Sequence, residues 1–279
     1  MNGPAVWVNG RPCTVVSVLD RGLQYGEGVF ETVACLKGRA RFLTLHLERL
    51  ALGCRRLGVP EPPALRAQIE QVAAEAPRSL VKVLLTRGAG AARGYRRGAE
   101  AGTCVIMRYP WPEEAHPRAG ARVRIASVRL GENPALAGLK HCNRLEQVLA
   151  ANEADGAEAD EALMLSTAGQ LIGGTMTNVF LIDGAPGAAR VRTPEIRTCG
   201  VAGVMRQVVM REAARAGLPV EACALGLADL EAASEVVLTN ARLGLWPVRA
   251  LPGRELAPGP LTERLQRLMQ PLLEAPADD

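Results

Sequence analysis

The chain has 279 residues, enough for two domains of ordinary size, and 48% hydrophobic residues supply a sizeable core. Its formal net charge of +4 is modest, and the arginines are scattered without interleaved aromatic residues, which argues against a nucleic-acid partner. The sequence contains no apolar run near the roughly 18 residues that a membrane span requires, so we expect no membrane partner.

The cysteines and histidines do not form groups in the sequence. The seven cysteines are widely spaced without a C-x-x-C pair, and the three histidines are far apart, so the sequence predicts neither a disulfide framework nor a metal site. The N-terminal Met1-Asn2-Gly3-Pro4 lacks the charged-then-apolar pattern of a signal peptide. We therefore expect a cytoplasmic protein.

The first part of the chain alternates between strand and helix patterns. The predicted strands are Val6–Val8 with a hairpin partner at Val15–Val18 beyond Asn9-Gly10, then Val29–Leu36, Ala40–Leu43, Ser79–Thr86 and Thr103–Tyr109. Helices are predicted from an N-cap at Thr44 to Leu57 and over Pro63–Ala76. On the first helix His46 and Arg49 are three residues apart, so they can face one pocket.

Three prolines between residues 110 and 117 mark the best linker candidate. We predict a smaller N-terminal α+β domain over 1–112, a linker over 113–121 and a larger C-terminal α/β domain over 122–279. The strands predicted in the larger domain are Val123–Val128, Ala162–Leu165, Thr177–Ile182, Arg190–Arg192, Val236–Thr239 and Leu245–Val248. The helices predicted there are 145–155, Gly203–Ala216 and Leu261–Leu272. Strands and helices mixed in both parts indicate an α+β or α/β architecture.

Lys140 lies just before the predicted helix over 145–155 and is one of only three lysines among 33 basic residues. A lysine in so arginine-rich a chain is a candidate for amine chemistry, because an amine can deprotonate and form a Schiff base where a guanidinium cannot. The alternative is a solvated lysine kept by chance, and composition leaves the two interpretations about even.

Three glycine-rich segments are further candidates for ligand contact. Asp20–Thr32 and Arg87–Tyr95 have the glycine density of loops that bend sharply or admit a ligand. In Cys199–Arg206 glycines open a helix, whose first N–H groups can bind a phosphate. Thr239-Asn240, at a strand end, is a fourth candidate. Each signal alone is weak, because ordinary connections and helix starts also use glycine.

Four separated stretches together resemble the fold-type-IV pyridoxal-phosphate enzymes, which include branched-chain and D-amino-acid aminotransferases and aminodeoxychorismate lyases. They are Asp20–Thr32, His46–Leu50, Lys140–Val148 and Gly174–Phe180, and Cys199–Arg206 extends the match. The loop Arg87–Tyr95 and the run Asn133–Val148 look most like the lyase branch. The resemblance implies a two-domain α+β fold of the D-amino-acid aminotransferase type, with pyridoxal 5'-phosphate in the C-terminal domain, a small-molecule substrate and a homodimer.

The resemblance also implies roles for individual residues. Lys140 would form the Schiff base with the cofactor and act as the catalytic base. The implied cofactor contacts are Arg49 and the backbone of Val201 and Ala202 at the phosphate, Thr239 and Asn240 beside them, and Arg144 near the phenolic oxygen. The implied substrate contacts are Tyr25, Arg93 and Tyr95. Arginine suits these roles because its planar fork matches phosphate and carboxylate.

Gly173 departs from the family pattern. The family usually places a glutamate five residues before the asparagine of the N-[LV]-F run, here Asn178, and its carboxylate keeps the pyridine nitrogen protonated. Transamination depends more on that carboxylate than an elimination that gains aromaticity does, so Gly173 favours the lyase. The alternatives are an aminotransferase for branched-chain or D-amino acids and, less favoured, a non-catalytic protein of the same fold.

Overall fold

The structure is a computed structural model, and it describes residues 3–90, 94–98, 101–112, 120–155, 159–184 and 190–274. The described residues fall into two compact units. The first contains those of Met1–Pro112 together with Leu139–Asn143 and Glu274, and the second contains those of Glu113–Gly138 and Arg144–Leu273. Both units are assembled from segments that are not continuous in sequence. The division into two folding domains and a linker stays a prediction.

The first unit is an antiparallel sheet with two main helices. Its elements are β1 (Ala5–Val8), β2 (Arg11–Pro12), α1 (Arg21–Tyr25), β3 (Gly28–Leu36), β4 (Arg39–Ala40), α2 (Leu43–Leu57), α3 (Leu65–Ala74), β5 (Arg78–Thr86) and β6 (Thr103–Pro110). The strand order is β2-β1-β6-β5-β3-β4. Alternate side chains of β5, such as Val81 and Val83, are buried in one core with Leu50 of α2 and Ile69 of α3, as the period of two in a strand requires.

The second unit is built on a nine-stranded mixed sheet. Its elements are β7 (Ala121–Ile125), α4 (Leu145–Asp155), β8 (Glu161–Leu165), β9 (Leu171–Gly174), β10 (Asn178–Asp183), β11 (Arg190–Pro194), α5 (Val204–Arg215), β12 (Val220–Cys223), α6 (Leu227–Ala232), β13 (Glu235–Asn240), β14 (Gly244–Leu251), β15 (Arg254–Glu255) and α7 (Pro260–Glu274). The strand order is β12-β11-β10-β13-β14-β7-β8-β9, and β15 pairs with β14. β8 and β10 are near-continuous apolar runs, as expected of strands covered on both faces.

The α+β class predicted from the sequence is confirmed, and most predicted elements are present. The long strands β3, β5 and β6 and the helices α4, α5 and α7 begin and end within a few residues of their predicted limits. The sequence analysis missed six short elements, which are α1, β2, β9, β12, α6 and β15. Within the described ranges, no helix is both long and apolar enough to cross a membrane.

Three local predictions were wrong. The strand predicted over Ala40–Leu43 is confined to β4 (Arg39–Ala40), because the chain turns after Ala40 and Leu43 already begins α2. Val15–Val18 is not the partner of β1; β1 pairs with Arg11–Pro12 directly after the Asn9-Gly10 turn and with β6 on its other side, while Val15 and Val18 lie exposed in the following segment. Thr44 is not the N-cap of α2. The helix already begins at Leu43, and the Thr44 hydroxyl accepts a hydrogen bond from Arg66 at 2.9 Å.

Candidate active site

The segment Leu139–Asn143 is held to the first unit by main-chain hydrogen bonds to β3. The Phe30 amide donates to the Lys140 carbonyl, and the Cys142 amide donates to the Gly28 carbonyl, both at 2.9 Å. Val29 and His141 form a bridge between these two bonds, and Leu139 is fully buried. Lys140 therefore lies next to an isolated β-bridge, and main-chain hydrogen bonds on both sides of that bridge fix its backbone.

The Lys140 side chain lies over an aromatic ring. Its Nζ is 4.5 Å from the centre of the Phe30 ring, and Lys82 Nζ of β5 is 5.2 Å from the same ring. Both distances are within the range in which an ammonium is attracted to the face of an aromatic ring. Two of the three lysines of this chain thus share one phenylalanine.

Arg49 and His46 of α2 do face one group, as expected, and that group is the carboxylate of Glu31 on β3. Arg49 Nε and Nη2 each donate to a Glu31 oxygen at 2.6 Å, and His46 Nδ1 lies 2.7 Å from Oε2. Burial raises the pKa of Glu31, but the charges and hydrogen bonds of Arg49 and His46 outweigh it and hold that pKa at about 2. Arg49 is therefore fixed in orientation by a fully ionised partner.

Glu31 was missed by the sequence analysis, although a signal for it exists. It is the single charged residue in the mostly apolar strand Gly28–Leu36, and it is 2% exposed. A buried carboxylate needs a cationic partner, and Arg49 provides it from α2, while His46 of the same helix adds a hydrogen bond.

Tyr25 and Tyr95, both predicted to contact substrate, lie against each other in the first unit. Tyr25 is the last residue of α1, and its ring meets the Tyr95 ring edge to face, with centroids 5.4 Å apart and an interplanar angle of 61°. Arg93, the third predicted substrate contact, lies outside the described residues.

In the second unit, the predicted phosphate-binding turn packs against Gly138. Gly138 N–H donates to the Gly200 carbonyl at 3.0 Å, and Ala202 N–H donates to the Gly138 carbonyl at 3.1 Å. The Ala202 amide, which the resemblance assigns to the phosphate, therefore already has an acceptor. Phosphate binding by Ala202 requires that this bond be shared or broken, and the roles of Val201 and Ala202 stay predictions.

Asn178 fixes the shape of the same turn. Its Nδ2 donates to the Val201 carbonyl at 2.9 Å, and a Cβ added to Gly203 would clash with its Oδ1. Gly203 is the N-cap of α5, and among the described residues no side chain caps that helix. The first N–H groups of α5 thus remain donors for an anion, held in place by Asn178.

Thr239 and Asn240 shape the turn between β13 and β14. The Thr239 hydroxyl donates to the Gly244 carbonyl at 2.6 Å, and Asn240 Oδ1 accepts from the amides of Arg242 and Leu243 at 3.0 and 2.9 Å. Arg144 precedes α4, and its carbonyl accepts the first-turn bond from Val148. For these three residues the contacts described are structural, and their predicted cofactor contacts stay predictions.

The backbone around Gly173 leaves little room for a side chain. A Cβ on Gly173 would lie 2.7 Å from the Thr177 carbonyl oxygen, and a Cβ on Gly174 would clash with Thr177 and Glu161. Glu161 is the carboxylate beneath this hairpin, and it is committed to the loop: it accepts from the amide and hydroxyl of Thr175 and from the hydroxyl of Thr177. It is therefore a buried structural residue.

This chain is similar in sequence and structure to proteins of known family. The family model described as amino-transferase class IV matches residues 28–251. The chain is 35% identical over 274 residues to an aminodeoxychorismate lyase from Vibrio harveyi, with 93% of this chain and 97% of that protein covered. It is 28% identical to a putative branched-chain-amino-acid aminotransferase from Methanocaldococcus jannaschii, covering 90% and 88%. A crystal structure of 4-amino-4-deoxychorismate lyase from Pseudomonas aeruginosa superposes with a TM-score of 0.90 at 40% identity, covering 97% of this chain and 100% of that one.

Proposed function

Because this chain belongs to the amino-transferase class IV family, we propose that it is a pyridoxal-phosphate-dependent aminodeoxychorismate lyase. It converts 4-amino-4-deoxychorismate into pyruvate and 4-aminobenzoate, a precursor of folate. Similarity to lyases from Vibrio harveyi and Pseudomonas aeruginosa, at 35% and 40% identity over nearly the whole chain, supports this reaction. The structural observation that carries the proposal is Lys140, fixed by main-chain bonds to β3 with its ammonium against Phe30.

The side chains of the first unit fit the cofactor's functional groups. Lys140 supplies a primary amine for the aldehyde, and Arg49 supplies a guanidinium of fixed orientation for an anion such as the phosphate. The turn of the second unit fits a phosphate as well, because the absence of a Cβ at Gly203 lets Asn178 hold the opening of α5. When bound, the cofactor supplies an electron sink that stabilises negative charge on the carbon next to the substrate amine.

Lys140 carries the proton transfers. Once free of the cofactor, its Nζ would take the proton from the carbon that bears the substrate amine. The C–O bond at the neighbouring ring carbon then breaks, which makes the ring aromatic and expels enolpyruvate. The enolpyruvate methylene takes up a proton, which the protonated Nζ can return, and becomes pyruvate. The amine of Lys140 would then displace the product amine, so that 4-aminobenzoate leaves. The main-chain bond between Phe30 and Lys140 and the Phe30 ring hold the amine in one orientation for these steps.

Gly173 supports elimination over transamination. The position at which the family pattern places a carboxylate for the pyridine nitrogen is here Gly173, and a Cβ added to it would lie 2.7 Å from the Thr177 carbonyl oxygen. A reaction that ends in an aromatic product relies less on a protonated pyridine than transamination does. Similarity to the Methanocaldococcus aminotransferase keeps an aminotransferase as the second candidate. Conversion of the bound cofactor to its amine form by an amino acid alone would favour that second candidate.

We also propose that the protein is a cytoplasmic homodimer. α4 exposes Leu145, Val148 and Leu149 on one face, with Leu145 76% exposed, and such a patch fits contact with a second copy. All seven cysteines, each among the described residues, are free thiols, which suits a reducing compartment. Light scattering during gel filtration tests the dimer: a monomer at micromolar concentration would contradict it.

The attachment of the cofactor provides a direct test of Lys140. Borohydride reduction of the loaded protein fixes the cofactor on its lysine, and peptide mass mapping then identifies the residue. We expect the mass increase on the peptide that contains Lys140. An increase on the Lys82 peptide instead would overturn the assignment of Lys140, and no increase with no bound cofactor would contradict the proposed function.

A further inference from the structure

Arg21, in α1, is a buried arginine that the mechanism above does not use. It is 3% exposed, and its Nε pairs with Glu27 Oε2 at 2.5 Å. Its two terminal nitrogens leave that carboxylate and donate to main-chain carbonyls, Nη1 to Gly94 at 3.0 Å and Nη2 to Tyr95 at 3.1 Å. One guanidinium thus holds two consecutive carbonyls of a segment more than 70 residues further along the chain.

Glu27 forms a second link to the segment that contains Tyr95. Its other oxygen, Oε1, accepts from Arg97 Nε at 2.6 Å. Burial raises the pKa of Glu27, but the hydrogen bonds and charges of Arg21 and Arg97 outweigh it and lower that pKa. Arg97 is nearly half exposed, so its ion pair contributes little, whereas breaking the buried pair of Arg21 is costly. Arg21 is therefore the stronger of the two anchors.

The anchored segment carries an exposed aromatic ring. Tyr95 is 85% exposed although its own carbonyl and that of Gly94 are held by a buried arginine. Its ring leans edge-on against Tyr25, and the Arg21 guanidinium lies 4.8 Å from the centre of the Tyr25 ring. The network thus fixes the backbone on both sides of Tyr95 without burying its ring, as expected of a ring that contacts a ligand.

The stretch that follows α1 also holds the Lys140 segment. Asn143 Nδ2 donates to the Gly26 carbonyl at 3.2 Å, and the Cys142 amide donates to the Gly28 carbonyl. Arg21 and Gly28 are only seven residues apart, and α1 ends at Tyr25 between them. The short stretch Arg21–Gly28 of the first unit therefore forms hydrogen bonds to both the Tyr95 segment and the Lys140 segment.

We propose that Arg21 is a positioning residue for substrate: it holds Gly94 and Tyr95 so that the Tyr25–Tyr95 ring pair forms a fixed wall for the ring of the substrate. This inference rests on the proposed function for the identity of the substrate, a six-membered cyclohexadiene ring that bears a carboxylate and an enolpyruvyl ether. Glu27 holds Arg21 in turn. Neither Arg21 nor Glu27 is assigned a contact with the reacting atoms.

Steady-state kinetics with Arg21→Gln, Arg21→Lys, Tyr95→Ala and the double variant Arg21→Gln/Tyr95→Ala test the proposal. We expect Arg21→Gln to raise KM about tenfold with kcat within about twofold, because it removes binding that is equal in ground and transition states. Arg21→Lys keeps the charge and should recover part of the loss. The double variant should be no worse than Tyr95→Ala alone, because both changes act through one ring.

Limited digestion with trypsin provides a readout that needs neither substrate nor cofactor. Arg96 and Arg97 follow Tyr95, so release of the segment should speed cleavage after them by about tenfold in Arg21→Gln. Arg66→Gln, which alters an exposed arginine of α3, is the matched control and should leave both KM and the cleavage rate unchanged.

The outcomes separate the two proposals. Normal KM and normal cleavage in Arg21→Gln would overturn the positioning role, and so would strictly additive losses in the double variant. A lower kcat with an unchanged KM and a lower Tm would show that Arg21 only stabilises the fold. Absence of lyase turnover in the wild type would contradict the proposed function, while the digestion would still test whether Arg21 holds the segment.

Discussion

Phe30 contacts Lys140 twice, through its amide and through its ring. The amide donates to the Lys140 carbonyl at 2.9 Å, and the ring centre lies 4.5 Å from Lys140 Nζ. The first contact fixes the lysine's main chain and the second orients its amine. Because only the second depends on the side chain at position 30, a substitution there separates the two effects.

Phe30→Leu should lower kcat while leaving the cofactor attached to Lys140. The main-chain bond remains, but a cation–π contact worth about 0.5–2 kcal/mol is lost, which corresponds to a decrease of about 2- to 30-fold. Phe30→Tyr keeps the ring and is the control. Turnover assays on loaded protein measure both variants, and equal kcat for Phe30→Leu and wild type would show that the ring does not orient the amine.

Glu31→Gln should destabilise the first unit severely. The substitution leaves Arg49, whose side chain is 12% exposed, without its charged partner, and breaking a mostly buried ion pair costs about 3–5 kcal/mol. Urea unfolding measures the change in free energy of unfolding. The control Glu48→Gln alters an exposed glutamate of α2, the helix that carries Arg49, and should change that free energy by less than about 0.5 kcal/mol.

The low pKa of Glu31 also predicts acid sensitivity. Folding lowers this pKa from 4.5 to about 2, so the ion pair stabilises the folded state fully above about pH 4.5. That contribution, on the order of 3 kcal/mol, is lost as the pH falls from about 4.5 towards 2. Unfolding free energies measured across this range should fall more steeply for wild type than for Glu31→Gln. Parallel curves for the two proteins would contradict the assigned pKa.

The sequence predicted the elements whose signals are local and repeated. β3, β5 and α5 carry a hydrophobic period over many residues, and the structure has each of them. Short elements such as α1 and β9 depend on contacts made elsewhere in the chain. The pairing of the Lys140 segment with β3 joins residues more than 100 positions apart, so a local pattern could not show it.

Residue type alone suggests only part of the candidate site. Lys140, Arg49 and Tyr95 are predicted because their residue types and motifs point to chemistry, whereas the sequence analysis did not single out Arg21 and Glu31, whose contacts depend on their partners. Thr44 shows the converse. Its residue type suits an N-cap, but α2 begins one residue before it, and its hydroxyl accepts a hydrogen bond from Arg66. In each case a partner distant in sequence decides what the side chain does.

Gly203→Ala should weaken cofactor binding more than it weakens the fold. The new Cβ would clash with Asn178 Oδ1 and displace the side chain that holds the Val201 carbonyl. Loss of that hydrogen bond and the shift of the turn should raise the cofactor Kd by about tenfold. Gly226→Ala is the control, since Gly226 is likewise the N-cap of a helix but its Cβ would meet only Asp229 at 4.0 Å.

Fluorescence titration of the apoprotein with pyridoxal phosphate measures these Kd values. Gly226→Ala should bind the cofactor as tightly as wild type. If Gly203→Ala does so too, the turn at Val201 does not contribute to cofactor binding. Asn178→Ala removes the same side chain directly and should reproduce the effect of Gly203→Ala, which links the loss to that hydrogen bond.

The most direct test of the lyase proposal is incubation of the cofactor-loaded protein with 4-amino-4-deoxychorismate, following 4-aminobenzoate and pyruvate together. We expect both products in equal amounts from wild type and from Lys37→Asn, which alters an exposed surface lysine, and neither from Lys140→Ala. Loaded wild type that forms neither product but exchanges amino groups with amino acids would be an aminotransferase. Wild type that neither binds the cofactor nor forms product would contradict the proposed catalysis altogether.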